Sequence, residues 1–261
     1  MLKFVNLGSG SKGNASIVCD AETMILIDAG LSATQIKKRM DAVGFDLENV
    51  TAVLITHEHG DHVSGCKRLF ERQQRLQFYV NPISYRALPD AFPEPHQFAS
   101  RVNFFNAGDA FEIGSLKIQT IPTLHDSKSS TGFAIQNRDV ALGYMTDLGA
   151  VTEDNFLALK HVDYLFMEAN YDHEMLWNGP YPPFLKARVH GDRGHLCNTH
   201  SGEFINLLGN LGQLRGVMLG HLSEKNNHPE KARQTVENRL NADIDLRIAS
   251  QSEPSIIVEV E

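Results

Sequence analysis

The run Thr56-His57-Glu58-His59-Gly60-Asp61-His62 places three imidazoles and two carboxylates within six consecutive positions. Imidazole nitrogens mixed with carboxylate oxygens suit zinc, manganese or iron, whereas calcium and magnesium prefer oxygen alone. His57 and His59 are two residues apart, so in an extended segment both face one side and can share an ion. Asp61 and His62 follow Gly60, where the chain can turn sharply, and would face a second ion. Two ions about 3.5–4 Å apart clamp the attacking and leaving oxygens of a hydrolysis. Glu58 falls between the first two histidines and is expected to point away. The bland alternative is a solvated polar turn. Such a turn has no use for so many partly titrating groups unless a cation organises them.

The apolar run Val50-Thr51-Ala52-Val53-Leu54-Ile55 reads as a buried strand that delivers this cluster to one point at its C-terminal edge. A helix over 64–73 follows, its N-terminal dipole toward the site. Strand-like runs fall at 2–7, 15–20, 23–28, 51–55, 77–80, 103–106, 110–113, 115–121, 132–137, 139–146, 163–168, 214–219, 244–248 and 255–259. Helical segments fall at 32–43, 64–73, 82–88, 152–158, 172–177, 199–210 and 229–240. The alternation is an α/β pattern. The stretch 88–100, with Pro89, Pro93 and Pro95, reads as an extended loop over the first half.

THEHGDH resembles the HxHxDH signature of the metallo-β-lactamase fold superfamily. Four further segments resemble the remaining motifs of that superfamily, in order. Met24-Ile25-Leu26-Ile27-Asp28-Ala29-Gly30 is a strand ending in Asp28, which the resemblance makes a supporting residue that does not bind metal. Thr123-Leu124-His125-Asp126 offers His125, Tyr144-Met145-Thr146-Asp147 offers Asp147, and Gly220-His221-Leu222-Ser223 offers His221. The resemblance implies an αββα four-layer sandwich over 1–261 with two divalent ions, zinc or manganese, iron being possible too. His57, His59, His125 and Asp147 would form one site. Asp61, His62, Asp147 and His221 would form the other. The stretch from Asp147 to His221 is too short for the large inserted domain of RNase J-type enzymes.

Four segments narrow the resemblance to the YycJ/WalJ family, regarded as 5′→3′ DNA exonucleases. They are Gly8-Ser9-Gly10-Ser11-Lys12-Gly13-Asn14, Glu168-Ala169-Asn170-Tyr171-Asp172, Gly194-His195-Leu196-Cys197-Asn198, and His221-Leu222-Ser223-Glu224-Lys225-Asn226-Asn227. The first is a Gly/Ser loop whose N–H groups could form an anion nest beside Lys12, although a plain tight turn reads as well. Ser9, Ser11, Lys12, Asn14 and Asn170 are the candidate phosphate contacts. Cys197 departs from the family, where Ser is usual. A Glu–His pair flanks the metals in tRNase Z, and Glu168 and His195 look like that pair. The expected roles follow: Asp61 orients the attacking water, and His195, held as imidazolium by Glu168, protonates the leaving oxygen. Lys67, Arg68, Arg72 and Arg75, and Lys186, Arg188 and Arg193, could track a backbone or be solvated faces. Tyr171, Trp177 and Tyr181 could stack a terminal base or simply pack a loop.

With 261 residues, 42% of them hydrophobic, the chain can bury a sizeable core. No apolar run approaches the roughly 18 residues of a membrane span, so no membrane partner is expected. Cys19, Cys66 and Cys197 are odd in number and widely spaced, which points to a reducing cytoplasm rather than disulfides. The net charge of −8 is awkward for a protein whose expected partner is DNA. It keeps an alternative open, hydrolysis of a small ester such as a cyclic phosphodiester, lactone or thioester. Iron-dependent persulfide or oxygen chemistry is a third use of the fold, with nothing in the sequence to favour it.

Overall fold

The computed structural model describes residues 1–88 and 100–261. The proline stretch expected as a loop over the first half therefore lies, for 89–99, outside the described residues. The first sheet holds β1 (Leu2–Gly8), β2 (Ala15–Cys19), β3 (Met24–Ile27), β4 (Ala52–Leu54), β5 (Gln77–Val80) and β6 (Val102–Phe104). The second holds β7 (Ala110–Ile113), β8 (Leu116–Thr123), β9 (Ser130–Gln136), β10 (Ala141–Met145), β11 (Tyr164–Glu168), β12 (Gly216–Gly220) and β13 (Asp245–Ile248), and β14 (Val258–Val260) returns to the first. The orders are β14-β1-β2-β3-β4-β5-β6 and β13-β12-β11-β10-β9-β8-β7. In each sheet one run of strands is parallel, β3 to β6 and β10 to β13.

The helices are α1 (Ala33–Ala42), α2 (Gly60–Val63), α3 (Cys66–Arg72), α4 (Pro82–Arg86), α5 (Glu153–Leu159), α6 (His173–Asn178), α7 (Pro183–His190), α8 (Asn198–Gly209) and α9 (Pro229–Glu237). Side chains alternate across each strand, and both faces are covered, so the central strands read as unbroken apolar runs. Ile25 and Ile27 of β3 face Phe133, Leu142 and Phe166 across the sheet interface, while Leu26 turns outward onto Ile36 and Met40 of α1. In β11, Tyr164 and Phe166 turn inward, and Leu165 and Met167 meet Phe204, Ile205 and Val236 of α8 and α9. The inter-sheet layer is pinned by aromatic contacts, Phe4–Phe166 at 5.4 Å and Tyr144–Phe166 at 4.8 Å between centroids. The result is the expected αββα arrangement of four layers.

Two expectations need correcting. The helix expected over 64–73 is the shorter α3, and a separate helical turn, α2, precedes it, so Asp61 and His62 sit on a turn whose N-cap residue is His59. Gly60 does not adopt a left-handed φ, and a Cβ there would meet nothing closer than Ser64 Oγ at 3.8 Å. The turn is thus made by helix initiation rather than by glycine. Helix α7 is not among the expected helical segments, and Pro180, Pro182 and Pro183 crowd its start. Pro183 in fact stands in the first turn, where a missing N–H costs nothing.

Candidate metal centre

The site is built at the C-terminal edges of the parallel strands, where open α/β sheets place their ligands. Asp28 follows β3, the histidine run follows β4, Asp147 follows β10, Glu168 ends β11 and His221 follows β12. Asp28, Asp147 and His221 are the three non-glycine residues with positive φ among the described residues, at 59°, 55° and 54°. That conformation costs roughly 1–2 kcal/mol per residue, and its recurrence at three strand ends turns each side chain over the sheet edge. Gly30 is needed for a different reason. A Cβ there would lie 1.6 Å from the Asp61 carbonyl oxygen, so only glycine lets the Asp28 loop pack against the histidine run.

All seven expected ligands converge. His57, His59 and His125 bring ring nitrogens within 4.8 Å of one another, and the Asp61 carboxylate and the His62 and His221 imidazoles bring ligand atoms equally close. Asp147 lies between the groups. Its Oδ1 is 3.7 Å from His125 Nε2 and its Oδ2 is 3.2 Å from His62 Nε2. His57 Nε2 and His221 Nε2 are buried and have no hydrogen-bond partner, and Asp147 Oδ2 is buried with only its contact to His62. Orphaned buried atoms of this kind are costly unless something else satisfies them. With their mixed imidazole and carboxylate character, they fit divalent metal ions of the zinc, manganese or iron type.

The outward-facing ring nitrogens are spoken for. His62 Nδ1 lies 2.8 Å from Asp28 Oδ2, and Asp28 Oδ1 accepts from Thr56 N at 2.8 Å. His57 Nδ1 lies 3.0 Å from Thr56 Oγ1, and His125 Nδ1 donates to the Gly194 carbonyl at 3.0 Å. Each contact leaves Nε2 as the nitrogen turned to the cluster. Asp28 thus contacts His62 and Thr56 from outside the ligand groups. Glu58 also points away, and its Oε1 accepts from Lys128 N at 2.5 Å, fastening the loop that carries His125. Thr56 and the Gly194 carbonyl escaped the sequence reading, because a backbone oxygen and a common hydroxyl carry no signature.

Glu168 and His195 are paired. His195 Nδ1 lies 2.7 Å from Glu168 Oε1 and the ring lines the cavity, whereas Glu168 is fully buried and does not. The same Oε1 lies 3.0 Å from His221 Nδ1, and Oε2 accepts from Leu148 N at 2.9 Å. Glu168 therefore orients one candidate ligand as well as His195, and holds the backbone just after Asp147. Burial pushes the Glu168 carboxyl up, but the His195 and His221 imidazoles outweigh it and keep the group below its ordinary value. Burial likewise raises Asp147, and His221 and His62 more than reverse it. Burial lowers His62, but Asp147 and Asp28 raise it well above the usual imidazole range. His57 goes the other way, held well down by burial and then by His62.

A cavity of about 220 Å³ opens over the cluster. That is below the roughly 300 Å³ at which drug-sized pockets begin, enough for a phosphate and its nearest substituents. Ser11, Asn170, Ser223 and Tyr181 line it, with Leu185, Arg188 and Val189 of α7. Arg188 Nε donates to Asp126 Oδ2 at the cavity wall. Ser9 and Asn14 are placed differently from the expectation. The Ser9 hydroxyl accepts from His221 N at 2.8 Å, and Asn14 Nδ2 lies 3.0 Å from His62 Nε2 while its Oδ1 accepts from Gly10 N at 2.8 Å. Both are buried behind the ligands because the loop folds in on its own asparagine. Lys12 pairs with Glu224 at 2.5 Å on the surface. Asn170 donates to the His221 carbonyl at 2.8 Å and still lines the cavity. Tyr171 is only 2% exposed and bonded to His190 Nδ1 at 2.8 Å, so it cannot stack a base.

Residues 23–221 match the family described as Beta-lactamase superfamily domain. Exodeoxyribonuclease WalJ of Streptococcus pneumoniae serotype 2 (strain D39 / NCTC 7466) is 32% identical over 239 residues, 91% of this chain and 88% of that one. Exodeoxyribonuclease YycJ of Bacillus anthracis is 30% identical over 239 residues, covering 90% and 88%. The metallo-β-lactamase fold protein YhfI from Bacillus subtilis superposes with a TM-score of 0.74 over 99% of this chain and 100% of its own, at 15% identity, which speaks for the fold alone. The family match, the two relatives and the clustered histidines and carboxylates agree: this chain belongs to the β-lactamase superfamily domain family, in the branch of WalJ and YycJ, and is a metal-dependent hydrolase.

Proposed function

We propose that this chain is a DNA exonuclease of 5′→3′ polarity that hydrolyses phosphodiester bonds with two divalent ions, zinc or manganese. His57, His59, His125 and Asp147 would hold one ion, and Asp61, His62, Asp147 and His221 would hold the other. Two such ions supply the positive charge that lets water attack an anionic phosphodiester near neutral pH. Asp61 orients the attacking water. His195, whose Nδ1 is held by Glu168 at 2.7 Å, presents Nε2 to the cavity and gives a proton to the leaving 3′-oxygen. Ser11 and Asn170 are within the cavity to meet phosphate oxygens. The whole of 1–261 serves as one domain.

The observation that carries this reading is the His195–Glu168 pair set against the cluster. A positioned acid suits a substrate whose leaving alkoxide departs poorly. The names of the relatives, exodeoxyribonucleases, support DNA as that substrate. No helix among the described residues is long and apolar enough to cross a membrane, and all three cysteines are free and buried, which suits a reducing cytoplasm. Purified protein with Mn²⁺ or Zn²⁺ should release nucleotides progressively from the 5′ end of labelled DNA. Rapid turnover of a lactone, or of a cyclic phosphodiester, with DNA left intact would replace this reading by the small-ester alternative.

A further inference from the structure

The cluster is assembled from both sheets, and its two ligand groups are held together by different means. Asp61 and His62 follow β4 of the first sheet, whereas His221 follows β12 of the second. The loop between β1 and β2 joins them. His221 N donates to Ser9 Oγ at 2.8 Å, and the Ser9 hydroxyl donates in turn to Asn14 Oδ1 at 3.2 Å. Asn14 N donates to the Asp61 carbonyl at 2.7 Å. Its Nδ2 reaches the same carbonyl at 3.3 Å and lies 3.0 Å from His62 Nε2. Ser9 and Asn14 are both buried, so water does not compete for these contacts. His221 holds a left-handed φ of 54°, a conformation that persists where the surroundings fix it. Among the described residues, no hydrogen bond joins Ser9 or Asn14 to His57, His59 or His125. That group is closed across the sheets by Thr131 N on the Thr56 carbonyl at 3.1 Å and by Lys128 N on Glu58.

We infer that Ser9 and Asn14 are positioning residues for one ion of the two, forming a relay that keeps His221 of the second sheet in register with Asp61 and His62 of the first. A hydroxyl accepts and donates at once, so Ser9 passes the constraint from the His221 backbone to Asn14 with no water between them. Contacts behind a ligand set metal affinity, because a ligand left loose must be ordered again when the ion binds. Neither side chain lines the cavity, so both act on the ligands from behind and do not meet substrate. The other group, tied by Thr131 and Lys128, is independent of this loop. The inference rests on the two-ion assignment of the proposed function, and its test counts ions rather than turnover.

Zinc can be withdrawn from the loaded protein with graded chelator and the metal remaining on each chain counted. The wild type should hold two equivalents. Ser9→Ala should raise the dissociation constant of one equivalent about 10- to 100-fold, the usual effect of losing a contact behind a ligand, and leave the other unmoved. Asn14→Ala should act on the same equivalent. The double variant should lose little more than either single one, because both break the same chain of bonds. His221→Ala removes the ligand itself, and adding Ser9→Ala to it should leave the remaining equivalent where it was. Ser9→Ala deletes one oxygen, so its result stands even where Asn14→Ala does not fold. Equal weakening of both equivalents in Ser9→Ala would mean a general loosening, and no change in either would mean that the strand alone holds His221. Either result overturns the relay and leaves the two-ion assignment in place. A wild type that never holds more than one equivalent would sink that assignment, and the relay with it.

Discussion

Replacing His195 by alanine should separate substrates by their leaving groups. The ring is held at Nδ1 by Glu168 at 2.7 Å, and Glu168 is itself fixed by Leu148 N at 2.9 Å, so Nε2 is presented to the cavity with little freedom. A positioned acid contributes about 10²–10⁴-fold when the leaving group needs a proton. That corresponds to about 2.7–5.4 kcal/mol of transition-state stabilisation. The 3′-alkoxide of DNA needs that proton, whereas p-nitrophenolate departs unaided. His195→Ala should therefore lose about 10²–10⁴ in kcat on DNA and roughly tenfold or less on bis-p-nitrophenyl phosphate. Both are to be measured on the same metal-loaded preparation. Glu168→Gln should behave differently, losing on both substrates, because Glu168 Oε1 also contacts His221 Nδ1 at 3.0 Å. Equal losses on the two substrates for His195→Ala would make His195 a phosphate-binding or structural residue. The donor would then have to be sought elsewhere.

Asp61→Ala should abolish most turnover on either substrate while the fold survives, since the Asp61 backbone is held independently by Asn14 N at 2.7 Å; near-normal hydrolysis would show that one ion suffices. Asp28→Asn should weaken metal binding about 10- to 100-fold in a chelator competition, because it disturbs the contact that aims His62; an unchanged affinity would remove Asp28 from that role. Cys197→Ser should stabilise the protein by about 0.5–1 kcal/mol, since Cys197 caps α8 through a weak acceptor, its Sγ taking His200 N at 3.5 Å, and serine is among the best N-caps. Calorimetry should show a melting temperature about 1–4 °C higher. A lower one would mean that the buried thiol is worth more as packing than as a cap.

Cys197 also shows what a departure from a family pattern amounts to. The sequence marks only a thiol where the family usually has serine, and the structure makes that position the N-cap of α8. Other readings divide in the same way. Ser9 and Asn14 stand in a Gly/Ser loop that looks like an anion nest. Whether such a loop opens to ligand or closes on itself depends on what packs behind it, here the backbone of His221 and Asp61. Tyr171, Trp177 and Tyr181 looked equivalent along the chain, yet one is buried, one exposed and one in the cavity wall. Helix α7 was hidden by its own prolines.

The candidate ligand set and the alternating order of elements were legible in the sequence by itself. Metal chemistry restricts ligands to a few residue types, and strands with both faces buried must be apolar from end to end, so both leave a dense local signal. Only the tertiary structure decided which of the two sheets supplies each ligand and which nitrogen of each ring faces the cluster. It also decided that Glu168 serves His195 and His221 together. Those outcomes depend on three strand ends held at positive φ and on backbone carbonyls and hydroxyls from distant segments. Contacts of that kind are made by groups that every residue, or any threonine, possesses, and so no single stretch of sequence can announce them.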